Sequence, residues 1–153
     1  MSAPRRLALL VEYDGTAFAG SQAQPAGRRT VQQTLETAIE AFTGETQRVR
    51  FAGRTDAGVH AIGQVVTFET RTAHAPKQVR RALNHFLPSD VVIRSACEAP
   101  SDFEPRRHAT SRLYRYVIED GRPRSPLTRH LAWQRDDLLD SKAMAEGASL
   151  LPR

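Results

Sequence analysis

Lysine is nearly absent from this 153-residue sequence: Lys77 and Lys142 are the only lysines among 22 basic side chains, so the positive charge is carried almost entirely by arginine. Cysteine occurs once, at Cys97. A single thiol closes no internal disulfide, which excludes the disulfide-stapled secreted scaffolds and fits a reducing, cytoplasmic setting. Its surroundings, VVIRSACEA, have the character of a strand end, so Cys97 reads as a small apolar residue and not as a nucleophile. No apolar run approaches the roughly 20 residues that span a bilayer. The opening MSAPRRLALLVEYDG carries no small-residue cleavage site of a signal peptide, so its apolar stretch is expected to be a strand and no membrane partner is expected. Low-complexity tracts and evident internal repeats are missing as well.

What is present suffices for a core. Hydrophobic residues make up 40% of the chain, and this length accommodates one domain of common size or a small domain plus part of another. The 22 basic residues against 17 acidic ones leave a formal net charge of +5, which favours a polyanionic partner. Arginine's planar fork grips phosphate bidentately and stacks on bases. Arginine richness also follows from genomic base composition, and at this level both readings stand.

Periodicity places the elements. Residues 7–13 form a branched apolar run ended by Asp14-Gly15, a turn signal, and read as a buried strand. Thr30 opens a helix with Gln33 in capping-box register; Val31, Leu35, Ala38, Ile39 and Phe42 share a face before Gly44 ends it. Strands are predicted at 47–52 and 64–69, the two pairing antiparallel. Pro76 opens a second helix with Val79, Leu83 and Phe86 on its apolar side, Leu87-Pro88-Ser89 breaks it, and residues 91–96 supply a fourth strand. Strand, helix, strand, strand, helix, strand is the split βαβ order of a ferredoxin-like (RRM-like) α+β domain over residues 1–98, whose open sheet face is a recurrent RNA platform. From residue 99 to 153 the pattern restarts as the beginning of a second, incomplete ferredoxin-like domain: a strand over 113–118, a Pro-broken turn over 121–126, a strand over 131–133 and a helix from Asp137 to about Leu151.

The string GRTDAGVHA, residues 53–61, sets one carboxylate, Asp56, among glycines and beside Arg54. Gly53 and Gly58 permit backbone angles closed to other residues, and Arg54 suits a phosphate. An arbitrary loop aspartate most often makes an Asx-turn, and a lone loop histidine such as His60 is more often a structural donor than a ligand. Asp56 and His60 without a third ligand do not make a metal site.

The same string, with EYDGTAFAGSQAQ and TVQQTLE before it and SRLYRYVI at 111–118, resembles the TruA family of tRNA pseudouridine synthases. The resemblance covers essentially the whole chain, although members of that family are longer. It implies isomerisation of uridine to pseudouridine in the anticodon stem-loop of tRNA, without metal or cofactor, by a homodimer. Asp56 stands at the position of the catalytic aspartate, which attacks either C6 of the ring or C1′ of the sugar; an ionised carboxylate serves both roles. The target base must be flipped from its stack. Arg54 is then expected to contact the phosphodiester or fill the vacated space, Tyr114 to stack on the flipped base, and Arg106, Arg112 and His60 to contact RNA. By alternation Tyr114 and Tyr116 share one face, which equally suits an aromatic pair on a sheet. Two departures stand out. Ser21 replaces the family's usual tryptophan, and Glu104-Pro105 follows Phe103 where His-Ala is common; neither is expected to touch the catalytic set. A non-catalytic RNA-binding module is the second reading. A ferredoxin-like domain with phosphate-ester chemistry is a third, which rests on fold alone.

Overall fold

Alternation along β1 (Arg5–Tyr13) decides the architecture: Leu7, Leu9, Val11 and Tyr13 are buried on one side while the residues between them face the other way. The computed structural model describes residues 3–25 and 27–151. β1 is central, pairing antiparallel with β3 (Ala61–Thr70) on one flank, Leu9 opposite Val66, and with β4 (Val91–Ala99) on the other, Leu9 opposite Ala96. The short β2 (Arg50–Phe51) pairs antiparallel with β3, giving a four-stranded sheet in the order β2-β3-β1-β4.

Helices α1 (Val31–Thr43) and α2 (Pro76–Phe86) cover the buried side of this sheet: Val31, Leu35, Ala38 and Ile39 of the first, with Val79 and Leu83 of the second, join the β1 residues, Val66, Phe68 and Ile93 in one core cluster. Caps set the bounds of α1. The Thr30 hydroxyl accepts the Gln33 N–H at 3.3 Å, and Gly44 closes the helix at φ 70° in the left-handed region. The reciprocal half of the expected capping box is replaced: Gln33 Oε1 accepts from the Thr30 hydroxyl at 3.0 Å. On α2, Phe86 is exposed and Leu87 packs against the core instead, because the step from Leu83 to Leu87 keeps the i, i+4 face.

The other side of the sheet is less open than the topology implied. The segment after β4 lies on it: Arg6 Nη1 donates to the Phe103 carbonyl at 2.9 Å, Arg50 Nη1 meets Glu104 Oε2 at 2.8 Å, and Pro105 and Thr67 are buried. Ile62 and Glu12 keep that face partly uncovered toward the other end of β1.

The chain divides into two units, Met1–Arg112 and Leu113–Arg153. In the second, β5 (Ile118–Glu119) and β6 (Trp133–Gln134) pair in parallel. Their register is fixed by the Gln134 amide, which donates to Glu119 Oε2 and the Ser125 carbonyl at 3.0 Å each and accepts the Ser125 N–H at 2.8 Å. The strand expected over 113–118 is reduced to its last residue and the next. Val117 contributes only its carbonyl, which accepts the Trp133 N–H at 2.8 Å, and residues 113–116 find no ladder partner among the described residues; an unpaired strand leaves its backbone groups and side chains in water, as the exposure of Leu113 and Tyr116 illustrates. α3 (Ser141–Ser149) begins later than expected because Asp140 caps it, accepting from the N–H groups of Lys142 and Ala143 at 3.0 Å each. Among the described residues no helix is long and apolar enough to cross a membrane.

Candidate active-site loop

The loop carrying Asp56 joins β2 to β3 and is tied at its start, its middle and its end. At the start, Gln64 of β3 supplies an amide that behaves as a substitute ladder partner: its Oε1 accepts the Gly53 N–H at 3.2 Å and its Nε2 donates to the Gly53 carbonyl at 2.8 Å. Arg112 donates to the adjacent Ala52 carbonyl through Nε at 3.1 Å and Nη2 at 2.8 Å, and to the Arg106 carbonyl at 2.8 Å. A guanidinium so engaged braces the base of the loop, a role sequence reasoning did not assign to Arg112.

In the middle, every polar group of Thr55 is used. Its N–H donates to Ser21 Oγ at 2.9 Å, its carbonyl accepts the Ser21 N–H at 2.9 Å, and its hydroxyl lies 2.8 Å from that of Tyr13. Asp56 follows directly. Val59 N–H donates to the Asp56 carbonyl at 3.2 Å, closing a turn whose third residue, Gly58, has φ 79°, a value that side chains resist.

At the end, Gly58 N–H donates to the Phe18 carbonyl at 3.2 Å, and Gly15 N–H donates to His60 Nδ1 at 3.1 Å. A Cβ on Gly15 would stand 2.0 Å from the Val59 carbonyl oxygen, so only glycine permits this approach. His60 Nδ1 is also 3.1 Å from Asp14 Oδ1. The ring nitrogen lies within reach of both the Gly15 N–H and the Asp14 carboxylate. His60 thus ties the end of the loop to the turn after β1.

Against this tied backbone the side chains that the sequence singled out stand in solvent. Asp56 and Arg54 are exposed, and among the described residues neither makes a side-chain hydrogen bond or ion pair. A carboxylate so placed is ready to act as a nucleophile or to stabilise developing positive charge, and a guanidinium two residues away suits an anionic oxygen. Arg106 is exposed beside the same base. Tyr114 belongs to the second unit, where it is 62% exposed.

Outside the loop, Arg29 forms a fork with Asp90, Nη1 to Oδ2 at 2.7 Å and Nη2 to Oδ1 at 2.8 Å, and its Cζ lies 4.1 Å from the centre of the Phe18 ring. Hydrogen bonding to Asp90 raises the guanidinium above its ordinary value against the opposing effect of burial. Tyr13, Gly15, Phe18, Ser21 and Gln64 are the positioning residues that sequence reasoning missed. The signals were the EYDGTAFAGSQAQ block with its Ser21 departure and the Asp14-Gly15 turn, and neither reveals what these residues touch.

Residues 9–106 match the protein family described as tRNA pseudouridine synthase. Among similar proteins, the tRNA pseudouridine synthase A of Geotalea daltonii is 44% identical over 145 residues, covering 95% of this chain and 59% of the relative. That of Roseiflexus sp. strain RS-1 is 51% identical over 140 residues, covering 92% of this chain and 52% of the relative, and that of Pelobacter propionicus is 44% identical over 148 residues, covering 97% and 60%. The chain therefore spans between about half and three fifths of the length of these curated relatives. With the GRTDAGVHA loop, strands β2 to β4 and the second half of β1 inside the matched residues 9–106, the chain belongs to the tRNA pseudouridine synthase family.

Proposed function

We propose that the protein isomerises uridine to pseudouridine in tRNA, with Asp56 as the catalytic residue. The observation that carries this reading is the exposed Asp56 carboxylate, without a partner among the described residues, on a backbone held at Thr55, Gly58 and His60. Breaking the glycosidic bond and rejoining C5 to the ribose requires a charge of this kind beside sugar and base, free of any competing cation. Arg54 and Arg106 contact the phosphodiester around the flipped nucleotide, Arg112 braces the loop beneath them, His60 contacts RNA at the end of the loop, and Tyr114 stacks on the base. The first unit's order β2-β3-β1-β4, with both helices on one side, supports a ferredoxin-like domain, and residues beyond it begin a second α/β domain. Family resemblance supports the anticodon stem-loop as the target, a homodimer as the working form and the cytoplasm as its place.

The test is release of tritium from C5-labelled uridine in tRNA, because isomerisation replaces the C5–H bond with a bond to C1′. The full-length protein is expected to release it, and Asp56→Ala to abolish release while tRNA binding stays within a few-fold. Steeply salt-dependent binding without any turnover by the unaltered protein would instead establish a non-catalytic RNA-binding module.

A further inference from the structure

Ser21 is 1% exposed and lies in the segment between the turn after β1 and helix α1. Its Oγ accepts the Thr55 N–H at 2.9 Å and lies 3.4 Å from the Thr55 carbonyl oxygen, which also accepts the Ser21 main-chain N–H at 2.9 Å. Two short segments 34 residues apart in sequence are thereby joined by reciprocal bonds at the residue before Asp56. The neighbouring Gly20, at φ 107°, would place a Cβ 3.0 Å from the same Thr55 oxygen, so the two backbones approach as closely as glycine allows.

The other side of Ser21 is anchored to a helix end. The first N–H groups of a helix have no partner within it. In α1, Val31 N–H donates to the Gly20 carbonyl at 3.3 Å and Gln32 N–H to the Ser21 carbonyl at 2.9 Å, while Gln32 Oε1 accepts the Ala23 N–H at 2.9 Å. Residues 20–23 are therefore fixed to the first turn of α1, itself packed in the core through Val31 and Leu35.

We propose that Ser21 is a positioning residue for the Asp56 carboxylate, its hydroxyl coupling the peptide at Thr55 to the N-terminus of α1. This rests on the catalytic role of Asp56 set out above. The sequence expectation that the Ser21 departure leaves the catalytic set untouched is thus replaced. The main-chain bond from residue 21 is available to any amino acid, whereas the acceptor for the Thr55 N–H is supplied by the serine hydroxyl alone. Losing it frees the peptide that sets the Cα position of Asp56, and a displacement of about 1 Å at a reacting group costs on the order of 100-fold in rate.

Two variants of the full-length protein separate hydrogen bonding from packing. Ser21→Ala removes the acceptor, and Ser21→Cys fills the site with a slightly larger thiol that is only a weak acceptor. Both are expected to slow single-turnover tritium release from C5-tritiated uridine in tRNA about tenfold, with the tRNA Kd unchanged to within about twofold, and to speed amide hydrogen exchange at Thr55 about tenfold while exchange at Leu9 in the core is unaltered. Restoration of the wild-type rate by Ser21→Cys shows a packing role and overturns the proposal. An active wild type matched by both variants overturns it too and leaves Asp56 in its role. A wild type that binds tRNA and releases no tritium overturns the functional reading itself, and the positioning role falls with it.

Discussion

The hydroxyls of Tyr13 and Thr55 lie 2.8 Å apart, joining the last residue of the central strand to the residue before Asp56. Tyr13 is 2% exposed, and its ring meets Phe18 edge-on at 6.5 Å between centroids and 65° between planes. Phe18 carries the Arg29 guanidinium on its face, and Asp90 holds that guanidinium at the start of β4. The loop is therefore connected to the sheet through the side chains of Tyr13, Phe18 and Arg29, and this is how an exposed loop keeps one geometry.

Tyr13→Phe isolates the first link of that chain. The ring and its packing on Phe18 remain, while the Thr55 hydroxyl loses its partner. A hydrogen bond of this kind contributes about 0.5–1.5 kcal/mol net, so denaturant unfolding is expected to show a loss of about 1 kcal/mol with an unchanged m-value. The rate of tritium release should fall several-fold at unchanged tRNA affinity. A variant as active and as stable as the wild type would show that Tyr13 serves the core and not the loop.

Gly15→Ala tests the contact between the turn after β1 and the end of the loop. The added methyl carbon would fall 2.0 Å from the Val59 carbonyl oxygen and 2.9 Å from the Gly58 carbonyl carbon, both main-chain atoms with no rotamer to escape into. Either the turn or the loop has to move. Overpacking of this type costs about 1–3 kcal/mol, and the His60 bond to Gly15 is expected to be lost with it. The variant should fold, since the sheet and helices are untouched, yet release tritium about 100-fold more slowly, the magnitude of a displaced reacting group. Near-normal release would show that the 53–61 loop tolerates movement at its end.

Legibility in the sequence followed the range of the interactions. α1 could be read almost to the residue because Thr30, Gln33 and Gly44 act on their own neighbours. The predicted strand at 47–52 contracted to Arg50–Phe51, since a strand's length is set by its partner and here β3 pairs with only those residues. Residues 113–116 illustrate the same point: Leu113, Tyr114 and Tyr116 have strand-forming side chains, and without a ladder those propensities do not suffice. In the loop, Asp56 and Arg54 could be singled out as candidates because they sit in one contiguous string. Ser21 and Tyr13, which reach Thr55 from 34 and 42 residues away, were not, because nothing local to Ser21 announces a hydroxyl aimed at another loop.

Glu104, the second departure from the family pattern, supplies a pH-dependent contribution. Hydrogen bonding from Arg50 holds its carboxyl below the usual carboxylate value, against the opposing effect of burial and with further help from the charge of Arg50. A carboxyl whose pKa is lower folded than unfolded stabilises the fold above its unfolded value and loses that contribution as the pH falls through its folded one. The pair is half in solvent, Arg50 at 60% and Glu104 at 27% side-chain exposure, so its worth at neutral pH is about 0.2–1 kcal/mol and declines with salt. Glu104→Gln is therefore expected to be less stable than the wild type by that amount at pH 7 in low salt, and the difference should shrink as the pH falls below about 4. Urea unfolding of both proteins at neutral and acid pH measures it. A difference that stays constant across the range would assign the effect to the packing of the 104–105 segment on the sheet, with no part played by the charge.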